Sequence, residues 1–181
     1  MTCRSDVVNA IPLTDTGAIF DSRILRNAFG CFPSGVTAIC AMIDGEPEGM
    51  AASSFVSVSL DPPLVLVCIQ NSSATWRKLR TAPRIGVSVL GEEHDRACSQ
   101  LAAKSGDRFE KLEWSTTEDG AVLLEGAAVS LDCSVVEEIA AGDHQLVLLR
   151  IEELKFQPSV NPLVFHGSRF RKLALETVTS E

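Results

Sequence analysis

No apolar run in the 181-residue chain approaches the roughly 18 to 20 residues that span a bilayer, and the opening MTCRSDVVNAIPLTD has no apolar stretch after its early Arg4. The expected setting is the cytoplasm. Positive charge is scarce: 16 Lys and Arg stand against 24 Asp and Glu, and the net charge of −8 has the wrong sign for a chain that wraps a nucleic-acid backbone. The six cysteines (Cys3, Cys31, Cys40, Cys68, Cys98 and Cys133) include no C-x-x-C pair, and their spacing does not gather His94, His144 and His166 into a ligand cluster, which argues against a structural zinc. Most of them lie in apolar stretches such as TAICAMI and LVLVCIQ, where a free thiol behaves as a small buried hydrophobe in a reducing compartment. Four common signatures are missing as well: G-x-x-x-x-G-K-[ST], G-x-G-x-x-G after a strand, G-x-S-x-G and H-E-x-x-H. A P-loop, a Rossmann half and a zincin are excluded.

What is present is a globular composition, 45% hydrophobic and 22% charged with only 8 Pro and 12 Gly, at a length that fits one domain. Residues 1–18 are aperiodic and read as a flexible leader, 19–175 as the domain, and 176–181 as a tail. Phe20, Ile24, Leu25, Ala28 and Phe29 recur at helical spacing up to Gly30. Short β-rich runs follow: GVTAICAMI (35–43), a turn at DGEPEG (44–49), MAASSFVSVSL, the stiff Asp61-Pro62-Pro63 and LVLVCIQ (64–70). A helix fits 73–81 with Trp76 and Leu79 inward, IGVSVL (85–90) is a strand, and 92–106 reads as an acidic-ended helix on which His94 is solvated. AVLLEG, AAVSLDCSVVEEIAA, QLVLLRIEELKF and PLVFHG complete the strand series. In AVSLDCSVV, Val129, Leu131, Cys133 and Val135 alternate with Ser130, Asp132 and Ser134, giving one buried and one wetter face. Short strands with local hairpins and no βαβ alternation predict a mainly β, antiparallel fold with peripheral helices, a closed or partly closed barrel.

Small hydroxyl residues cluster at two places. GMAASSFVSVSLDPP carries Ser53, Ser54, Ser57 and Ser59, and NSSAT opens the helix after the next strand. A Ser- and Thr-rich helix start suits a phosphate, and it is equally an ordinary cap. The serines could line an apolar slot for a cofactor or form only the solvated side of a strand.

Taken together, FPSGVTAI (32–39), GMAASSFVSVSLDPPLVLVCI (49–69), NSSAT (71–75), SGDRFEKLEW (105–114), LEGAAVSLDC (124–133), GDHQLVLLRI (142–151) and PLVFHGSRFRKL (162–173) resemble, in order, the flavin reductase-like family with the FMN-binding split-barrel fold. The resemblance covers about residues 20 to 173. It implies a Greek-key split barrel and the small reductase component of a two-component flavin monooxygenase. Such a component uses NADH or NADPH to reduce FAD or FMN, which then leaves for a separate oxygenase. It also implies site residues. Ser34 and Val36 match the loop near the flavin ring; Met50, Ala51, Ala52, Ser53 and Ser54 match the segment holding ribityl and phosphate; Val58, Ser59 and Leu60 match backbone beside the ring. Asn71, Ser73 and Thr75 match a phosphate-side loop, Arg108 and Phe109 the element that closes it, and His144 the position facing the nicotinamide. Two positions depart from the pattern: Ala51 or Ala52 stands where a Thr is usual, and Phe170 where a Tyr is frequent.

Without a Rossmann fold the nicotinamide has no pocket of its own, so it would stack on flavin in one groove, and hydride transfer there needs positioning rather than a side-chain acid or base. His144 is read either as that nicotinamide contact or as a surface hairpin residue linked to Asp143 or Glu137. His166, close to Arg169 and Arg171, is read as lining the same groove. Flavin is expected to come and go. The different-class alternative is a flavin-binding barrel without turnover. A homodimer with the groove at or near the interface is expected in either case.

Overall fold

The computed structural model describes residues 22–173; the leader, the start of the first helix and the tail, with their part of the domain boundaries, lie outside them. In chain order the elements are α1 (Ser22–Phe29), β1 (Ser34–Gly35), β2 (Thr37–Ile43), β3 (Glu46–Ala52), β4 (Val56–Leu60), β5 (Pro63–Gln70), α2 (Ala74–Leu79), β6 (Ile85–Val89), a 3-10 turn (Glu92–His94) running into α3 (Asp95–Leu101), β7 (Trp114–Thr116), β8 (Val122–Leu124), β9 (Val129–Ala141), β10 (His144–Phe156), β11 (Val164–His166) and β12 (Arg169–Arg171). The fold is mainly β, as read from the strand spacing.

Seven strands form one antiparallel sheet in the order β3-β2-β6-β9-β10-β5-β4. β3 and β4 are its two edges, yet they are consecutive in the chain, so the sheet must curl until Ser53–Phe55 can join them. Ser54 pins that corner: its hydroxyl donates to the Cys68 carbonyl of β5 at 3.0 Å and accepts the Cys68 N–H at 2.9 Å. The ladder itself stays open between the edges, which makes this a split barrel rather than a closed one. β1, β11 and β12 form a small second sheet, and β7 with β8 a third.

The β2 run TAICAMI is apolar without a break because both faces of the strand are covered. Ile39 and Ala41 point into the barrel with Val67, Ile85, Leu131 and Leu149 and with Trp76 and Leu79 of α2. Ala38 and Cys40 point the other way, into a second cluster with Leu90, Leu101, Phe109, Val122 and Leu163. Burial pushes the thiols of Cys40 and Cys133 up to about 12, so they are inert packing groups.

Several boundaries differ from those expected. Only Asp44 and Gly45 turn, at φ 52° and 87°, and Glu46–Gly49 already belongs to β3. The helix expected over 92–106 stops at Leu101. Asp132, expected on the wetter face, is 5% exposed because Arg84 comes within 3.6 Å of it from the start of the neighbouring β6. Burial raises that carboxyl above its ordinary range. His94 is half-buried rather than solvated: Nδ1 accepts the Gly91 N–H at 3.0 Å and Nε2 lies 2.9 Å from the Glu125 carbonyl.

Candidate flavin-binding groove

The curl that brings β3 and β4 together opens a groove of about 600 Å³ at one end of the barrel. Its walls are the end of β3 with the Ser53–Ser54 corner, the end of β5, the residues leading into α2, the stretch after α3, Arg108 and His144. Nine of the residues singled out in the sequence line it: Met50, Ala51, Ala52, Ser53, Ser54, Ser73, Thr75, Arg108 and His144. They come from segments up to 94 positions apart, and only the fold joins them.

Their hydrogen bonds divide them by what each still has to offer. Arg108 Nη1 donates to the Gly49 carbonyl at 2.9 Å and to Thr75 Oγ1 at 2.6 Å, which spends both of its hydrogens and fixes the guanidinium. Nε and Nη2 bond to no protein acceptor among the described residues, so they remain available to an anion. Thr75 accepts from Arg108 and keeps its own hydroxyl hydrogen. Ser73 acts as the cap of α2, accepting the Trp76 N–H at 3.1 Å, and its hydroxyl points at Met50 Sδ at 3.9 Å. Ser54 gives its only hydrogen to Cys68. Ser53 is exposed, and its hydroxyl has no protein partner among the described residues.

His144 opens β10 directly opposite Gln70, the last residue of β5. Asp143 accepts from its Nδ1 side at 2.7 Å, and that bond, followed by the charge of the ring, holds the Asp143 carboxyl below its ordinary range. The hairpin carrying the pair is tied to β5 by Asn71, whose amide nitrogen donates to the Gly142 carbonyl at 3.1 Å and whose N–H donates to the Asp143 carbonyl at 3.0 Å. Asn71 therefore supports the groove without lining it. His144 is paired to Asp143, as in the hairpin reading, and it also lines the groove.

The other expected site residues lie elsewhere. Val36 is a buried core residue, its carbonyl accepting from Leu90 N–H. Ser34 pairs with Phe165 in the small sheet, which also holds His166, so that histidine does not line the groove. Val58, Ser59 and Leu60 sit on the edge strand β4, with a register shift between Ser57 and Ser59. Phe109 packs into the second core cluster beside a neighbouring cavity. The sequence reading missed Cys68, Gln70 and Lys104 as groove residues. Lys104 stands immediately before the SGDRF motif, which was the available signal. Among the described residues no group of three or more His, Cys, Asp or Glu could hold a metal ion, and no helix is long and apolar enough to cross a membrane.

The family model of the flavin reductase like domain matches residues 29–174, and the chain belongs to that family. A probable flavin reductase of Rhizobium meliloti is 39% identical over 75% of this chain, which spans 44% of that longer relative. The reductase subunit HsaB of a flavin-dependent monooxygenase from Mycobacterium tuberculosis is 33% identical over 90% of this chain and 88% of its own length. Among solved structures, the NADH:FAD oxidoreductase SgcE6 of Streptomyces globisporus C-1027, in complex with NAD and FAD fragments, superposes with a TM-score of 0.81 at 37% identity. That match covers 87% of this chain and 95% of SgcE6.

Proposed function

We propose that this protein is an NADH-dependent flavin reductase that draws free flavin into the groove, reduces it, and releases it to a partner monooxygenase. NADPH is admitted as a second donor. The carrying observation is the single groove in which the free donors of Arg108, Ser53 and Thr75 share walls with His144. Its volume falls in the range of small-molecule sites, and its lining of alanines, serines and a methionine leaves room for a planar ring.

The residues bind and orient. Arg108 Nε and Nη2, with Thr75 and Ser53, take the flavin phosphate; Ser54 and Ser73 hold the corner and the start of α2 in place around it. His144 bounds the nicotinamide side. Bound together, NADH and flavin supply the chemistry themselves: one hydride passes from nicotinamide to flavin, NAD⁺ leaves, and a solvent proton completes the reduced flavin. The groove contributes proximity, which is where such a reaction gains most. The groove is built mostly of small residues and is open to solvent, which supports a flavin that exchanges. The exposed apolar edge of β4 supports a homodimer, and an NADH-consuming enzyme with buried free thiols belongs in the cytoplasm.

The test is to follow NADH absorbance with purified protein and added free flavin. Sustained oxidation that rises and saturates with flavin is expected. Tight flavin binding without turnover would replace the reductase by a flavin-carrying barrel.

A further inference from the structure

Of residues 70–75, all but Asn71 line the flavin groove. The Asn71 side chain turns the other way, onto the hairpin between β9 and β10. We infer that Asn71 is a positioning residue for the nicotinamide: it fixes the tip of that hairpin, and with it the place of the His144 ring, and takes no part in holding the flavin phosphate. The inference rests on the flavin-reductase reading above and moves Asn71 away from the phosphate-side loop where the sequence resemblance puts it.

The tip is a two-residue turn, Gly142-Asp143, between the paired Ala141 and His144, with Gly142 at φ 64°. Nothing lies within 4 Å of where a Cβ on Gly142 would stand, so no packing holds the turn from that side. Asn71 does hold it. Its amide nitrogen donates to the Gly142 carbonyl at 3.1 Å, and its backbone N–H donates to the Asp143 carbonyl at 3.0 Å. These carbonyls belong to the two residues just before His144. The backbone bond merely extends the β5–β10 pairing one residue beyond Gln70 and His144, and any residue but proline could make it. The side-chain bond is what depends on asparagine.

The contacts run on from the turn to the ring. The Asp143 carboxyl, held below its ordinary range by the bond to His144, is ionised at neutral pH and can only accept, so the 2.7 Å contact makes His144 Nδ1 the donor. Nε2 is then the ring nitrogen left for a ligand. The Asp143 side chain is 92% exposed, so the backbone of the turn, and not packing, decides where it stands. A ring whose partner is anchored only through the turn moves when the turn moves. Further down, the hairpin is secured separately: Glu138 of β9 accepts from Trp76 Nε1 of α2 at 3.1 Å and pairs with Arg80, the residue after α2, at 2.7 Å. Loss of the Asn71 amide therefore frees the tip and leaves the strands in place.

Two variants test this. Asn71→Ala removes the side-chain bond; Asn71→Asp keeps the shape of the side chain and turns an acceptor toward the Gly142 carbonyl. Each is measured by steady-state NADH oxidation with FAD, by FAD titration and by a thermal melt. The expected result is kcat/KM for NADH lowered about two- to tenfold in Asn71→Ala, the range one neutral hydrogen bond sets, and further in Asn71→Asp, with FAD affinity and the melt unmoved. Weaker FAD binding in Asn71→Asp with kcat/KM for NADH unchanged would return Asn71 to the phosphate side, because a carboxylate there repels the phosphate. Parallel losses in FAD affinity, kcat/KM and melting temperature would make Asn71 a structural residue only, and variants indistinguishable from the unaltered protein would leave the tie without a role; each of these overturns the inference. Unaltered protein that oxidises no NADH in the presence of FAD is a different failure, that of the reductase reading, and it removes the nicotinamide role as well.

Discussion

The serines of the groove look alike in sequence and do different work, which hydrogen-bond accounting makes visible. Ser54 satisfies both backbone groups of Cys68, so Ser54→Ala leaves a part-buried N–H and C=O without partners. It should cost about 1 to 3 kcal/mol of stability. A thermal melt should show the transition a few degrees lower, and an unchanged melt with flavin affinity alone reduced would reverse that view. Ser53→Ala should do the opposite. Its hydroxyl faces the groove without a protein partner, and loss of one bond to a charged phosphate costs about 1.5 to 3 kcal/mol, or one to two decades in flavin affinity, with the melt unmoved. His144→Ala should raise the NADH KM or lower kcat while flavin binding stays nearly intact, read from steady-state kinetics beside a flavin titration. The Asp143 tether is not what limits this in ordinary buffers. A carboxyl whose folded pKa is depressed contributes above its ordinary pKa and loses that contribution only as pH falls through the lowered value, so the pair persists through neutral and mildly acid solution.

At the scale of elements, the barrel depends on strands that approach more closely than side chains allow. A Cβ on Gly86 of β6 would fall 2.0 Å from the Val122 carbonyl oxygen of β8, backbone against backbone. Gly86→Ala must therefore push β8 away from the sheet and should cost about 3 kcal/mol or more, measured as a lowered denaturant midpoint. Most strands, α2 and the GD hairpin were legible because each is a local pattern (alternation, a capped amphipathic turn, a positive-φ glycine), but the single run expected over MAASSFVSVSL is broken by the Ser53–Phe55 corner into the end of β3 and β4. Three-residue strands such as β7 and β12 carry too few residues for a period, and they exist because a neighbour pairs with them. The end of the third helix was misjudged because residues 102–106 keep helix-compatible types after the buried Ala97, Cys98 and Leu101 have done their packing. Asp132 fits the polar half of an alternation, and nothing near it in sequence announces Arg84. The groove was legible for the opposite reason. Its segments are strongly patterned, whereas Ser34, Val36, Val58–Leu60, Asn71, Phe109 and His166 fell elsewhere because strand pairing and core packing, which no local pattern announces, decide where they point.

For the molecule as a whole, the question is what covers the apolar residues that the single chain leaves in water. On β4, Val56, Val58 and Leu60 are 54%, 50% and 94% exposed, and β9 adds Val136 and Ile139. β4 is also an edge strand, with one row of N–H and C=O groups unpaired in the ladder, and such an edge invites pairing or cover. A twofold dimer through this face would bury these side chains and bring the partner's β4 toward the groove end of the barrel, giving Val58, Ser59 and Leu60 a place beside the neighbour's flavin that they lack in their own chain. A charge of −8 per chain opposes association, so the interface must gain from apolar burial and should tighten or hold as salt screens the repulsion. Light scattering at micromolar concentration should give twice the mass of one chain at low and moderate salt. Leu60→Asp, which places a carboxylate at the most exposed apolar position and disturbs no buried contact, should shift the mass toward one chain and lower the reductase rate with it. A monomeric protein with full activity would overturn both the dimer and the shared groove.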